Sequence, residues 1–153
     1  MARKQFSYLE PHFCRVMMVK DAPILTTVPL TGPARVAAII EEKTRDLGKE
    51  SVWSIPLDSR RRPLAYVMVS LGTLTQSLAH PRELLQPVLL GAGAAFIICH
   101  NHPSGDPTPS PDDHALTRRA REASEIMGIP LVDHVIVGLE GKFYSYADNG
   151  WPV

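Results

Sequence analysis

His100 and His102 stand two residues apart, and Asp113 follows eleven residues after the second of them. Imidazole nitrogens and carboxylate oxygens are donors that zinc accepts, and two histidines with one carboxylate leave a tetrahedral ion one open position for water. Water held there has its pKa lowered to about 7, which supplies hydroxide at neutral pH. The chemistry such a set favours is hydrolysis, with one Zn2+ per chain.

The surrounding elements must bring the three side chains together. The apolar run Ala94-Ala95-Phe96-Ile97-Ile98-Cys99 is short and ends in a Pro/Gly/Ser/Asp cluster, so it reads as a buried strand entering a tight loop. Residues two apart at a strand's end point the same way, which puts His100 and His102 together. Ser110 has an N-cap side chain, Pro111 suits the first helical position, and Asp112 and Asp113 fall in the first turn. Asp113 can then swing back toward the imidazoles. The same letters also carry a plainer reading, in which Ser110 and Asp113 form a capping box and the histidines belong to a polar loop. Other zinc hydrolases fit worse. A deaminase needs a Pro-Cys-x-x-Cys motif, and Cys14 and Cys99 are the only cysteines. A TIM barrel takes about 250 residues, and this chain has 153.

That length suits one domain burying roughly two thirds of its unfolded surface. Sixteen basic and sixteen acidic residues cancel, leaving no global field to draw nucleic acid or anionic membrane. No long apolar segment follows Arg3-Lys4, so neither a signal peptide nor a membrane span is expected. Two cysteines, one in a buried strand, suit reduced thiols and a cytoplasmic location.

Residues 1–30 are expected to form an extension packing on a domain built from 31–153, with a strand over Phe13 to Val19. A helix with Val36, Ile39 and Ile40 on one side spans Gly32 to Leu47 and stops at Gly48. Glu50 to Asp58 and Leu64 to Ser70 read as antiparallel strands joined by a turn holding Arg60-Arg61-Arg62, the one local cationic patch. A second helix begins at His80-Pro81-Arg82-Glu83, with His80 as its cap, and runs to about Gly93; Pro87 predicts a kink or an early stop. The third helix, Pro111 to Met127, carries Leu116, Ala120, Ala123, Ile126 and Met127 at helical spacing before Gly128. A buried strand from Ile129 to Gly138 turns at Glu140-Gly141 into Lys142 to Tyr146. Asp133 and His134 are a polar pair inside that apolar strand, where an unpaired group costs on the order of 1–3 kcal/mol.

The pattern His-x-His-Pro, with Ser110 eight residues after the second histidine and Asp113 three further on, resembles the JAMM (MPN-plus) metalloprotease motif. The wider run His-Asn-His-Pro-Ser-Gly-Asp-Pro-Thr-Pro-Ser is similar to the RadC branch of that superfamily. So are the Gly72-Thr73 turn, the Pro81-Arg82-Glu83 helix start and the Asp-His-Val-Ile-Val-Gly run from Asp133. The likeness covers roughly Leu30 to Tyr146. It implies an α/β fold, a cytidine-deaminase-like mixed β-sheet flanked by helices (JAB/MPN domain). It also implies a zinc-dependent metallopeptidase or isopeptidase acting on a polypeptide or isopeptide substrate.

In such a site His100, His102 and Asp113 hold the zinc. Glu50 matches an upstream glutamate that orients and deprotonates the water, so its carboxylate should face the metal. Ser110 would donate to the developing oxyanion, and one of Asp133 and His134 would support a ligand from behind. RadC-like proteins usually carry an N-terminal helix-hairpin-helix region associated with DNA binding, and residues 1–33 do not resemble it, so the expectation is a catalytic domain alone. Two other readings stand beside hydrolysis. One is a DNA-repair-associated, DNA-binding or DNA-processing protein, resting on the arginine turn and the arginines of the third helix. The other is a metal-stabilised interaction module without turnover. Edge strands of the hairpin are compatible with a homodimer.

Overall fold

Strand-length apolar runs separated by helical patterns build a layered α/β arrangement. The computed structural model describes residues 29–72 and 79–151; the expected strand over Phe13 to Val19, and with it the extension, lie outside the described residues, as does the turn from Thr73. The elements are α1 (Pro33–Thr44), β1 (Ser51–Leu57), β2 (Val67–Leu71), α2 (Pro81–Leu90), β3 (Ala95–Asn101), α3 (Pro111–Met127), β4 (Leu131–Val137) and β5 (Phe143–Ser145). They form one sheet in the order β2-β1-β3-β4-β5. β1 runs antiparallel to both β2 and β3, β3 and β4 are parallel, and β5 returns antiparallel to β4. The parallel pair follows from α3, which carries the chain back to the starting end of the sheet between them. The fold is thus the mixed sheet flanked by helices that the sequence implied.

Alternation along β3 divides the core in two. Ala95, Ile97 and Cys99 pack with α1 through Val36, Ala37 and Ile40, joined by Ile55, Leu57, Val135 and Val137. Phe96 and Ile98 point the other way, onto Leu84 and Val88 of α2 and Leu116 and Ala120 of α3. His100, next in that second row, therefore faces α2 and α3 at the buried centre of the sheet. In β4 the register slips opposite Phe96/Ile97. Leu131 still packs on the α2 and α3 side, and three residues later His134 is brought to that same face.

The start of α2 is as expected, and several other local expectations are corrected. α2 is capped at His80, whose side chain accepts from Arg82 N–H while Glu83 accepts from His80 N–H. The helix then passes through Pro87 and ends at Leu90, short of Gly93. A proline inside a helix forfeits one hydrogen bond to the carbonyl four residues back, which this short helix tolerates. Leu64 to Tyr66 are not part of β2, because Pro63 makes only an isolated bridge to Leu57 and cannot donate to a continuing ladder. The basic turn is not wholly free charge either: Asp58 pairs with the Arg62 guanidinium at 2.6 Å and accepts backbone N–H groups from Arg60 and Arg62. On α3 the buried stripe is Asp113, Leu116, Thr117, Ala120 and Ser124, leaving Ile126 85% and Met127 45% exposed. Spacing alone could not tell that the stripe continues through Ser124 rather than Ile126. Among the described residues no helix is long and apolar enough to cross a membrane.

Candidate metal centre

Three segments meet beside the end of β3. The strand delivers His100, wholly buried and level with Val52 of β1. His102 lies one residue past the strand; its N–H donates to Val137 O at 2.8 Å and its Nδ1 is 2.8 Å from Asp106 O. Its main-chain nitrogen and its ring Nδ1 are thereby placed by backbone carbonyls.

Asp113 comes from the first turn of α3. Ser110 caps that helix, its Oγ accepting from Asp113 N–H at 3.2 Å. In return Ser110 N–H and Oγ–H both donate to Asp113 Oδ2 at 2.7 Å. The capping box and the candidate ligand are one and the same: Oδ2 is committed to the cap, while the buried Oδ1 has no hydrogen-bond partner among the described residues. The single hydroxyl hydrogen of Ser110 is likewise engaged with Asp113, so the side chain meets an oxyanion only by turning away from its cap.

Glu50 immediately precedes β1, and the residue between the two histidines holds it. Asn101 Oδ1 accepts from Ser51 N–H at 2.9 Å and Ser51 Oγ–H at 2.6 Å, and its Nδ2 donates to Lys49 O at 3.0 Å. Backbone on both sides of Glu50 is thus strapped to β3. Glu50 is 8% exposed, and its Oε1 is also without a hydrogen-bond partner among the described residues.

One ligand atom from each of Glu50, His100, His102 and Asp113 lies within 4.8 Å of the others. His100 Nε2 is 3.0 Å from His102 Nε2 and 3.1 Å from Asp113 Oδ1, and His102 Nε2 is 3.5 Å from Asp113 Oδ2. Donors around a tetrahedral zinc, bonded at about 2.1 Å, stand roughly 3.4 Å apart. His100 Nε2 stands slightly inside that edge from both His102 Nε2 and Asp113 Oδ1, and Glu50 Oε1 lies further out, 3.8 Å from His100 Nε2. The two histidines and Asp113 could hold a small divalent ion, with Glu50 beside them.

Electrostatics agree. Burial disfavours the Asp113 anion, yet the adjacent His100 and His102 imidazoles and the Ser110 cap hold its carboxyl far below the usual carboxylate range. Burial lowers His100 against the pull of Asp113, while for His102 burial is opposed by Asp113, the Asp106 carbonyl and Glu50, which together raise it. Glu50 is pushed up to about 7, chiefly by burial, with His102 opposing and Asp113 adding to the rise. Anionic oxygens and imidazole nitrogens without enough positive charge to balance them describe a cation site.

The polar pair of β4 divides its tasks. Asp133 accepts from Ser145 Oγ–H at 2.7 Å and Ala147 N–H at 3.0 Å, which ties β4 to the chain after β5. His134, wholly buried, places Nε2 2.8 Å from His100 Nδ1 and Nδ1 2.7 Å from Thr117 Oγ1.

Sequence reasoning missed Asn101, Thr117 and Gly138. For Asn101 the available signal was a polar residue between two candidate ligands; Thr117 stood four residues after Asp113 on the same helical face. Gly138 showed nothing. A Cβ there would collide with the Gly105 carbonyl, in the loop that presents Asp106 O to His102. Gly138→Ala is expected to displace that loop and to cost about 1–3 kcal/mol as overpacking. Thermal denaturation would register that loss, and metal titration would register weaker binding through the misplaced His102.

The family model described as RadC-like JAB domain matches residues 30–151. A "UPF0758 protein" of Trichlorobacter lovleyi is 45% identical over 120 residues, covering 78% of this chain and 52% of the relative. "UPF0758 protein GSU0386" of Geobacter sulfurreducens is 43% identical over 120 residues, with the same shares. "UPF0758 protein CPE2144" of Clostridium perfringens is 41% identical over 125 residues, 82% of this chain and 55% of the relative. The chain spans about half the length of the curated relatives it matches.

Proposed function

The chain belongs to the RadC-like JAB domain family, and on that premise we propose that it is a zinc-dependent hydrolase of amide or isopeptide bonds. The observation that carries this reading is the convergence of Glu50, His100, His102 and Asp113, with buried carboxylate oxygens on Glu50 and Asp113 left without partners. His100 Nε2, His102 Nε2 and Asp113 Oδ1 would hold the ion. Once bound, zinc lowers the pKa of a coordinated water to about 7 and polarises a carbonyl oxygen.

The protein's own groups do the rest. Glu50 Oε1 takes the proton of the attacking water and returns it to the leaving amine. A carboxyl poised near 7 suits both halves of that shuttle. Ser110, through its N–H and O–H, keeps Asp113 Oδ2 occupied and so turns Oδ1 toward the ion. Asn101 fixes the base relative to the ligands.

The test is to incubate the zinc-loaded chain with a mixed peptide library and with peptides joined through a lysine ε-amine. Mass spectrometry would follow the gain of one water across an amide. Cleavage that stops on chelation and returns with added zinc is the expected result. Cleavage indifferent to chelation, or none from protein shown to hold zinc, would overturn the proposal.

A further inference from the structure

A metal-ligating imidazole ordinarily donates its outer N–H to a carboxylate, a backbone carbonyl or water. His100 instead turns its outer nitrogen on a second imidazole. The chain runs from His100 Nδ1 to His134 Nε2 at 2.8 Å, and from His134 Nδ1 to Thr117 Oγ1 at 2.7 Å. Thr117 Oγ1 then donates to Asp113 O at 2.7 Å.

The direction of every proton in this chain follows from its far end. A hydroxyl has one hydrogen and a carbonyl can only accept, so the Thr117 hydrogen lies toward Asp113 O. Thr117 Oγ1 can then only accept from His134, which puts the proton on His134 Nδ1. His134 is wholly buried and, among the described residues, its two ring nitrogens meet only His100 and Thr117 and no carboxylate, so the ring is neutral and presents a lone pair at Nε2. His100 must therefore donate from Nδ1, and its Nε2, facing His102 and Asp113, carries a bare lone pair. Reversing the chain would leave two acceptors, Thr117 Oγ1 and Asp113 O, opposed at hydrogen-bond distance. The Tyr146 ring stacks on His134 with centroids 5.0 Å apart and planes at 5°, which holds the ring in the orientation the chain needs.

We propose that Thr117 and His134 are positioning residues that lock His100 in the Nδ1–H tautomer and thereby make its Nε2 a metal donor. The inference rests on the metal-site reading above and extends it to residues outside the ligand set. His102 reaches the same state by a shorter route, since Asp106 O at 2.8 Å from its Nδ1 is an acceptor alone. Asp113 thus enters the centre twice: its carboxylate faces the ion, and its backbone carbonyl anchors the chain that prepares His100.

The test compares zinc affinity, by competition with a chromophoric chelator, for the native chain, His134→Phe, His134→Gln and Thr117→Val, with folding checked by circular dichroism. Phenylalanine keeps a ring against Tyr146 but cannot accept from His100, so zinc binding should weaken about 10–100-fold. Glutamine offers one acceptor and one donor and should stay close to native; Thr117→Val should fall between. A packing role predicts the opposite ranking of Phe and Gln. Native-like affinity in a folded His134→Phe, or equal loss in Gln and Phe, would overturn the inference while leaving the zinc site standing. No zinc uptake by the native chain would overturn both. Should the phenylalanine variant not fold, nitrogen-15 NMR of the zinc-loaded native protein decides. A proton on His100 Nδ1 supports the relay, and a metal-bound Nδ1 overturns it.

Discussion

His102→Ala is expected to reduce bound zinc from about one ion per chain to almost none while the protein stays folded. Partial loss of one outer partner typically weakens metal binding 10–100-fold, and loss of one of three direct protein ligands should exceed that. His102 is the ligand to choose because it is half-buried and lies past the end of β3. His100 and Asp113 are wholly buried, and Asp113 also closes the α3 cap. Removing either would mix metal loss with damage to the fold, since a lost helix cap alone costs about 0.5–2 kcal/mol. Elemental analysis of both proteins after zinc loading and gel filtration provides the measurement. Near-stoichiometric zinc in the variant would remove His102 from the ligand set.

Glu50→Gln should leave zinc in place and lower hydrolysis by about 10²–10⁴-fold, the usual contribution of a positioned general base. Glutamine matches the shape and can still hydrogen-bond, so the loss would isolate proton transfer from packing. A second signature concerns stability. The ordinary glutamate pKa of 4.5 rises to about 7 in the folded protein, mainly through burial. Over that window the native state binds more protons than the unfolded chain, so Glu50 makes stability fall as pH rises from 4.5 through 7. Chelated native protein should therefore lose more thermal stability than chelated Glu50→Gln between pH 5 and pH 8. Parallel melting curves for the two would argue that Glu50 is not the buried acid described, and unchanged turnover in the variant would take the proton shuttle away from it.

The legible parts of the centre were the local ones. His100, His102, Ser110 and Asp113 lie within one strand end, one loop and one helix start, where side-chain periodicity and capping preferences decide direction. The two readings of Ser110 and Asp113, cap or metal site, proved compatible, because a carboxylate has two oxygens and the helix uses one. Glu50 was reached through family resemblance alone, since its burial depends on β1 pairing with β3, about fifty residues away in sequence. The division of labour between Asp133 and His134 was open for a similar reason: a register slip opposite Phe96 and Ile97 governs which face each one meets. Thr117 went unread because a threonine one helical turn after Asp113 says nothing about the centre until the strand opposite is known. Ile126 misled, since helical spacing fits two adjacent stripes and only the extent of the sheet chooses between them.

The strap formed by Asn101 has a consequence for how errors in folding would show themselves. Sliding one strand past another by a single residue sends every side chain to the opposite face. A β1 misaligned on β3 would carry Glu50 away from the histidines, and because both faces of β1 are buried, its apolar side chains would still find a core on either side. Asn101 grips Ser51 and Lys49 at the point where such a slip would begin. It works as a proofreading pin: the contact that certifies correct strand alignment is also the one that places Glu50, so a molecule that passes inspection has by the same act gathered the Glu50, His100, His102 and Asp113 cluster.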